Sequence, residues 1–72
     1  MANHVKLEVA IQIAAENVAN YLLAMRNAEN EEVYNYYNFK LQEAYVDKEL
    51  VAIGHIETIE KLLNERKGDS NE

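Results

Sequence analysis

The first half of the chain carries apolar residues at two spacings at once. Set at 100° per residue from Val5, the residues Leu7, Ile11, Ala14, Val18, Leu22 and Met25 fall in one arc with no charge inside it, the stripe of a core-facing helix. Over residues 5 to 13, however, Val5, Leu7, Val9, Ile11 and Ile13 also alternate strictly with Lys6, Glu8, Ala10 and Gln12, the period of a strand. The helical period runs on without a change of phase through Ala14, Val18, Tyr21 and Met25. Helix is therefore expected from about residue 4 to 28, with Asn3 as its cap. The strand reading, followed by two helices, would make a ribbon-helix-helix-like DNA binder. Its ribbon would offer DNA a single basic residue, Lys6.

Polar residues then break the pattern once, over Arg26-Asn27-Ala28-Glu29-Asn30-Glu31-Glu32, and asparagine tolerates both left-handed and capping geometry. A turn is expected there. Asn30 would cap a second helix whose first turn holds Glu31 and Glu32, the sign favoured by the positive end of the helix dipole. At the other end Arg66 and Lys67 precede Gly68, a cation-then-glycine stop, and Glu57 to Lys61 is a favourable i,i+4 pair. The expected architecture is all-α: an antiparallel helical hairpin in one domain, residues 1 to 68, with residues 69 to 72 a disordered tail.

Five of the six aromatic side chains fall within EEVYNYYNFKLQEAY, residues 31 to 45, and they divide between two faces of the second helix. Tyr34, Tyr37, Leu41, Tyr45, Ala52, Ile56, Ile59 and Leu63 share one arc, expected to pack on the first helix. Tyr36, Phe39, Val46, Leu50 and Ile53 share a second, roughly opposite arc, where Glu43 is the main charged intrusion. A helix apolar on two sides is sandwiched between neighbours, yet a hairpin supplies only one.

Length adds to this. The first helix, about 24 residues, is roughly 36 Å long, and a second helix continuous from about 31 to 67 is roughly 55 Å. Residue 54 then lies opposite residue 4, and Ile56, Ile59, Leu62 and Leu63 project past the end of the first helix. Their burial is worth about 1.5 to 3 kcal/mol each, comparable in sum to the stability of a small domain. A two-fold homodimer forming a four-helix bundle would cover the overhang and the second stripe together. Gly54 offers a break that would instead fold residues 55 to 67 back as a third helix. Continuity is favoured because the stripe keeps its phase from Ala52 through Ile56 to Ile59, and one glycine without proline or polar neighbours makes a poor loop.

Composition sharpens the expectation of self-association. At 72 residues with no cysteine, the chain has no disulfide or thiolate metal cage to supplement a small core. A net charge of -6 argues against direct binding to phosphate backbones or anionic lipid. The longest unbroken apolar run, Tyr21 to Met25, is far short of the ~20 residues that cross a bilayer, so a cytoplasmic protein is expected. Nine asparagines alongside many Glu, Ile, Tyr and Lys match the codon bias of an A/T-rich genome, such as that of a low-GC bacterium or its phage.

Catalytic chemistry finds no foothold in the residue pattern. His4 and His55 each lack a second histidine at i+3 or i+4, and the one carboxylate at such a spacing is Glu8 after His4, so there is no helical pair of histidines for zinc. No nucleophile stands beside a base, and paired acids for hydrolysis need a cleft that two helices rarely form. No enzyme activity, cofactor, metal or small-molecule substrate is expected. The expected function is that of a regulatory or adaptor protein acting through contact with itself and another protein, at Tyr36, Phe39, Val46, Leu50, Ile53, Ile56, Ile59, Leu62 and Leu63. Tyrosine and its asparagine neighbours Asn35 and Asn38 suit such a surface. The alternative is an acidic inhibitor that imitates nucleic acid, drawing on Glu29, Glu31, Glu32, Glu43, Asp47 and Glu49.

Overall fold

The structure is a computed structural model that describes residues 2–70, with side chains over residues 5–66. Residues 5 to 13, where strand and helix periods competed, are helix: α1 runs Ala2–Arg26, and the described residues contain no strand. That removes the ribbon-helix-helix reading. Because α1 begins at Ala2, Asn3 lies inside its first turn rather than capping it.

The turn falls where the polar run placed it. Asn27 and Ala28 N–H donate back to Leu23 and Met25 carbonyls at 3.1 and 3.2 Å, closing α1. Asn30 is extended (φ -151°, ψ 172°) and its side-chain oxygen accepts from the Val33 N–H at 2.8 Å, satisfying a free donor of the next helix. From that cap α2 runs Glu31–Ala52, with Glu31 and Glu32 in its first turn.

The second helix is not continuous through Gly54. Gly54 has φ +83°, a conformation that costs most other residues a Cβ clash. Around it the Gly54 N–H donates to the Val51 carbonyl and the His55 N–H to the Leu50 carbonyl, both at 2.9 Å. These paired bonds are the Schellman arrangement, which ends a helix by satisfying its last carbonyls through one left-handed residue. A third helix, α3, Ile56–Ser70, starts at once. It passes through Gly68, expected as a stop; one glycine there costs a helix only about 1 kcal/mol against alanine. Asn71 and Glu72, part of the expected tail, lie outside the described residues.

Folded back, α3 lies against α1, and it touches α2 least. The core is small: Ala10, Ile13 and Ala14 of α1, Val51 of α2 and Leu62 of α3, flanked by half-buried Leu7, Ile59 and Leu63. Leu41 and Ala44 are also buried. On α1 the buried face therefore differs from the expected stripe. Leu7 and Ala14 belong to it, but Ile11 and Leu22 are exposed, while Ala10 and Ile13 are buried. On α2 the face is likewise turned: Tyr34, Tyr45 and Ala52 are exposed, and Ala44 and Val51 take their place. Ala10, Ala14 and Ala44 stand on these buried faces, so the helices meet partly on small residues rather than on the arcs with the largest side chains.

Of the expected overhang, Leu62 is fully buried within the chain, Ile59 and Leu63 are half-buried, and Ile56 alone is exposed. The fold-back thus does much of what a second copy was expected to do. Lys61 reaches Asp47 on α2 at 3.0 and 3.1 Å rather than Glu57, and Arg66 pairs with Glu16 on α1. The protomer remains a thin slab, 45 × 30 × 15 Å. Its radius of gyration of 13.3 Å exceeds the about 11 Å of a compact chain this long.

Candidate interaction surface

A slab this thin leaves one face of α2 uncovered. Tyr36, Phe39, Val46 and Ile53 are 57, 62, 55 and 77% exposed, values typical of surface charges rather than of large apolar groups. Leu50 between them is half-buried, and Ile53 is the C-cap residue that closes α2. With Glu43, these residues stand at 36, 39, 43, 46, 50 and 53, spacings of three, four, three, four and three. That is the a/d seam of a coiled coil over two and a half heptads, interrupted by one carboxylate. No helix of the protomer lies on it.

The seam is held in place from behind. Tyr37 packs its ring 6.2 Å from Tyr21 on α1, and the Tyr36 ring stands edge-on to Tyr37 at 5.1 Å, so an outward aromatic rests on an inward one. Beside the seam, Phe39, Gln42, Glu43, Val46 and Asp47 line a shallow groove whose far wall is Lys61 of α3. Lys40 pairs with Glu43 at 3.6 Å. Its pKa is raised, first by the charge Tyr21 acquires on ionising and then by Glu43 and Tyr36.

The remaining expected contacts lie elsewhere. Ile56 and Ile59 line a second hollow with Lys6, Leu7, Gly54 and Glu60, where the α2–α3 joint meets the start of α1. Leu62 belongs to the core and Leu63 to its edge. The structure does not gather the acidic residues. Glu43 and Asp47 are occupied by Lys40 and Lys61, whereas Glu29, Glu31, Glu32 and Glu49 are exposed near opposite ends of α2. Among the described residues, no group of three or more His, Asp or Glu is placed to hold a metal ion, and no helix is long and apolar enough to cross a membrane.

His55 has a role the residue pattern did not disclose. It precedes α3, and its Nδ1 accepts from the Thr58 backbone N–H at 3.3 Å and lies 2.8 Å from the Thr58 hydroxyl oxygen. The imidazole is the N-cap of α3, one residue after the glycine that ends α2. The available signal was threonine three residues after a polar residue, with glycine just before it. The side chain of His4 lies outside the described residues.

No known family model, curated protein or solved structure matches the chain.

Proposed function

We propose that the chain is a non-enzymatic regulatory or adaptor protein that acts through protein–protein contact and pairs with a second copy of itself through the outer face of α2. The observation that carries this is the exposed heptad seam Tyr36, Phe39, Val46, Leu50, Ile53. Its apolar side chains are spaced for a partner helix, and burying each is worth about 1.5 to 3 kcal/mol before the cost of association. A core of so few residues makes such added burial valuable to a 72-residue chain. Because the protomer has three helices, the pair would gather six, with the two α2 helices at its centre, in place of a four-helix bundle. The outer side of α1, where Val5, Ile11, Leu22 and Leu23 are exposed, would stay open to another protein.

Nucleic-acid mimicry is the weaker reading, because two of its six carboxylates are already matched by lysines. Binding by mimicry would fall steeply with ionic strength, whereas an apolar seam predicts a shallow dependence.

Sedimentation equilibrium over a dilution series, with Phe39→Glu alongside, tests the proposal. Phe39 is mostly exposed, so the change spares the protomer fold. A wild-type dimer that Phe39→Glu dissociates is the expected result, and a monomer at every concentration would overturn it.

A further inference from the structure

Resting on that pairing, we infer that the two α2 helices meet antiparallel, in one register whose two-fold axis passes between Ala44 and Tyr45. In an antiparallel coiled coil each a position faces a d position of the partner helix. The six seam positions have a property that then decides the register: taken from opposite ends they match completely. Tyr36 faces Ile53 of the second copy, Phe39 faces Leu50, and Glu43 faces Val46, each pair occurring twice. All six layers are filled. Sliding the helices by one heptad either way leaves two of the six, Tyr36 and Phe39 or Leu50 and Ile53, without a facing partner.

Charge supports the same arrangement. In a parallel pair Glu43 would face its own copy in the core of the seam, a like-charge contact that costs affinity. In the antiparallel register Glu43 faces a valine in the layers next to the axis, so the two carboxylates do not meet, and Lys40 stands one turn away as its partner. The flanking positions also agree, because antiparallel helices bring the same flank of each together. Lys40 then lies beside Asp47 of the second copy, opposite in sign, and Gln42 lies beside Glu49 without a like-charge clash. Asp47 is already approached by Lys61 from one side, so Lys40 of the second copy would approach from the other. The second copy thus complements α2 in both apolar spacing and charge.

The native chain has no cysteine, which makes cross-linking clean. Tyr36→Cys and Ile53→Cys are prepared singly, at positions exposed enough to leave the protomer intact, with circular dichroism as the check on folding. In the proposed register residue 36 lies about 25 Å along the seam from its own copy, from 17 residues at the helical rise. It sits level with residue 53 of the partner, within the roughly 7 Å between Cα atoms that a disulfide tolerates. After the two variants are mixed, allowed to exchange and oxidised, several-fold more cross-linked dimer is expected than from either alone. Cross-linking of Tyr36→Cys by itself would show a parallel pair and overturn the register while leaving the pairing intact. A dimeric mass with no cross-link in the mixture would place the contact on another face or register and overturn it too. A monomeric mass would remove the pairing itself.

Discussion

Replacing Gly54 with alanine puts the joint between α2 and α3 under a calculable load. Beyond the adjoining backbone an added Cβ meets no atom within 4 Å, so no collision with the rest of the fold complicates the change. The load is conformational: φ of +83° is a left-handed geometry that costs a non-glycine residue roughly 1 to 2 kcal/mol. At the same time alanine favours a straight helix over glycine by about 1 kcal/mol. The balance between a folded-back α3 and one continuous with α2 therefore shifts by roughly 2 to 3 kcal/mol. Against this stands burial of Leu62 and part of Ile59 and Leu63, on the order of 3 to 5 kcal/mol. The variant should still fold back, but weakly. A loss of about 1 to 2 kcal/mol corresponds to a Tm lower by about 4 to 16 °C for a domain this small. Urea or thermal denaturation followed by circular dichroism measures it. Small-angle scattering gives the second readout, because a continuous helix from 31 to 70 would be about 60 Å long, beyond the 45 Å of the folded-back slab. Gly54→Asn, which tolerates the left-handed region, should lose less. An alanine variant as stable as wild type, with unchanged dimensions, would refute the account of the joint.

Other expectations bear on neighbouring parts of the structure. His55→Ala removes the acceptor for the Thr58 N–H and should cost about 1 kcal/mol, whereas His55→Asn restores a capping oxygen and most of the stability; denaturation midpoints of the two, compared directly, decide whether the imidazole acts as a cap. If the seam pairs as inferred, Glu43→Leu exchanges a carboxylate facing Val46 for an apolar side chain. At about 1.4 kcal/mol or more gained, the dimer Kd should fall at least tenfold in a sedimentation dilution series, and unchanged or weaker pairing would count against the register. Lys40 has its pKa raised in the folded chain, so its contribution is present below the unfolded lysine value and lost as pH rises through the folded one. The difference in urea midpoint between wild type and Lys40→Gln should accordingly be constant through neutral pH and close only in the alkaline range.

What could be read from the residues follows from which physical effects are local. The turn at 27–30 and the Asn30 cap were legible because a cap is made by a side chain and a backbone N–H three residues on, both visible in sequence. The all-helical class was legible because the 3.6 period of α1 outlasts the short stretch where a period of two also fits. The exact face of each helix was not. Summing large apolar side chains points to Ile11, Leu22, Tyr34 and Tyr45, but the buried faces are the ones that carry Ala10, Ala14 and Ala44, whose small size a count of large side chains passes over. The break at Gly54 was missed for a different reason. A stripe that keeps its phase from Ala52 to Ile59 points to a straight helix, yet a segment that folds back must turn the same apolar side toward α1. The Lys61 to Asp47 pair depends on that fold-back and could not be seen before it.

The break also accounts for where the seam ends. Continued past Ile53 at the same spacing, the heptad positions would be Glu57, Glu60 and Asn64, all polar. The apolar residues beyond the joint, Ile59, Leu62 and Leu63, are out of step with the seam and in contact with the core instead. A single continuous helix would therefore have had to serve two apolar stripes of different phase, one running out at residue 53 and one starting where α1 ends. Turning the chain at Gly54 separates them: α3 closes the protomer with its own stripe, and α2 keeps its outer face free along its whole remaining length. The same glycine that permits the intrachain core thus defines the extent of the surface on which the proposed pairing depends. Loosening the joint and blocking the seam should accordingly act on different observables, protomer stability for the first and association for the second. That separation is what Gly54→Ala and Phe39→Glu, measured side by side, would reveal.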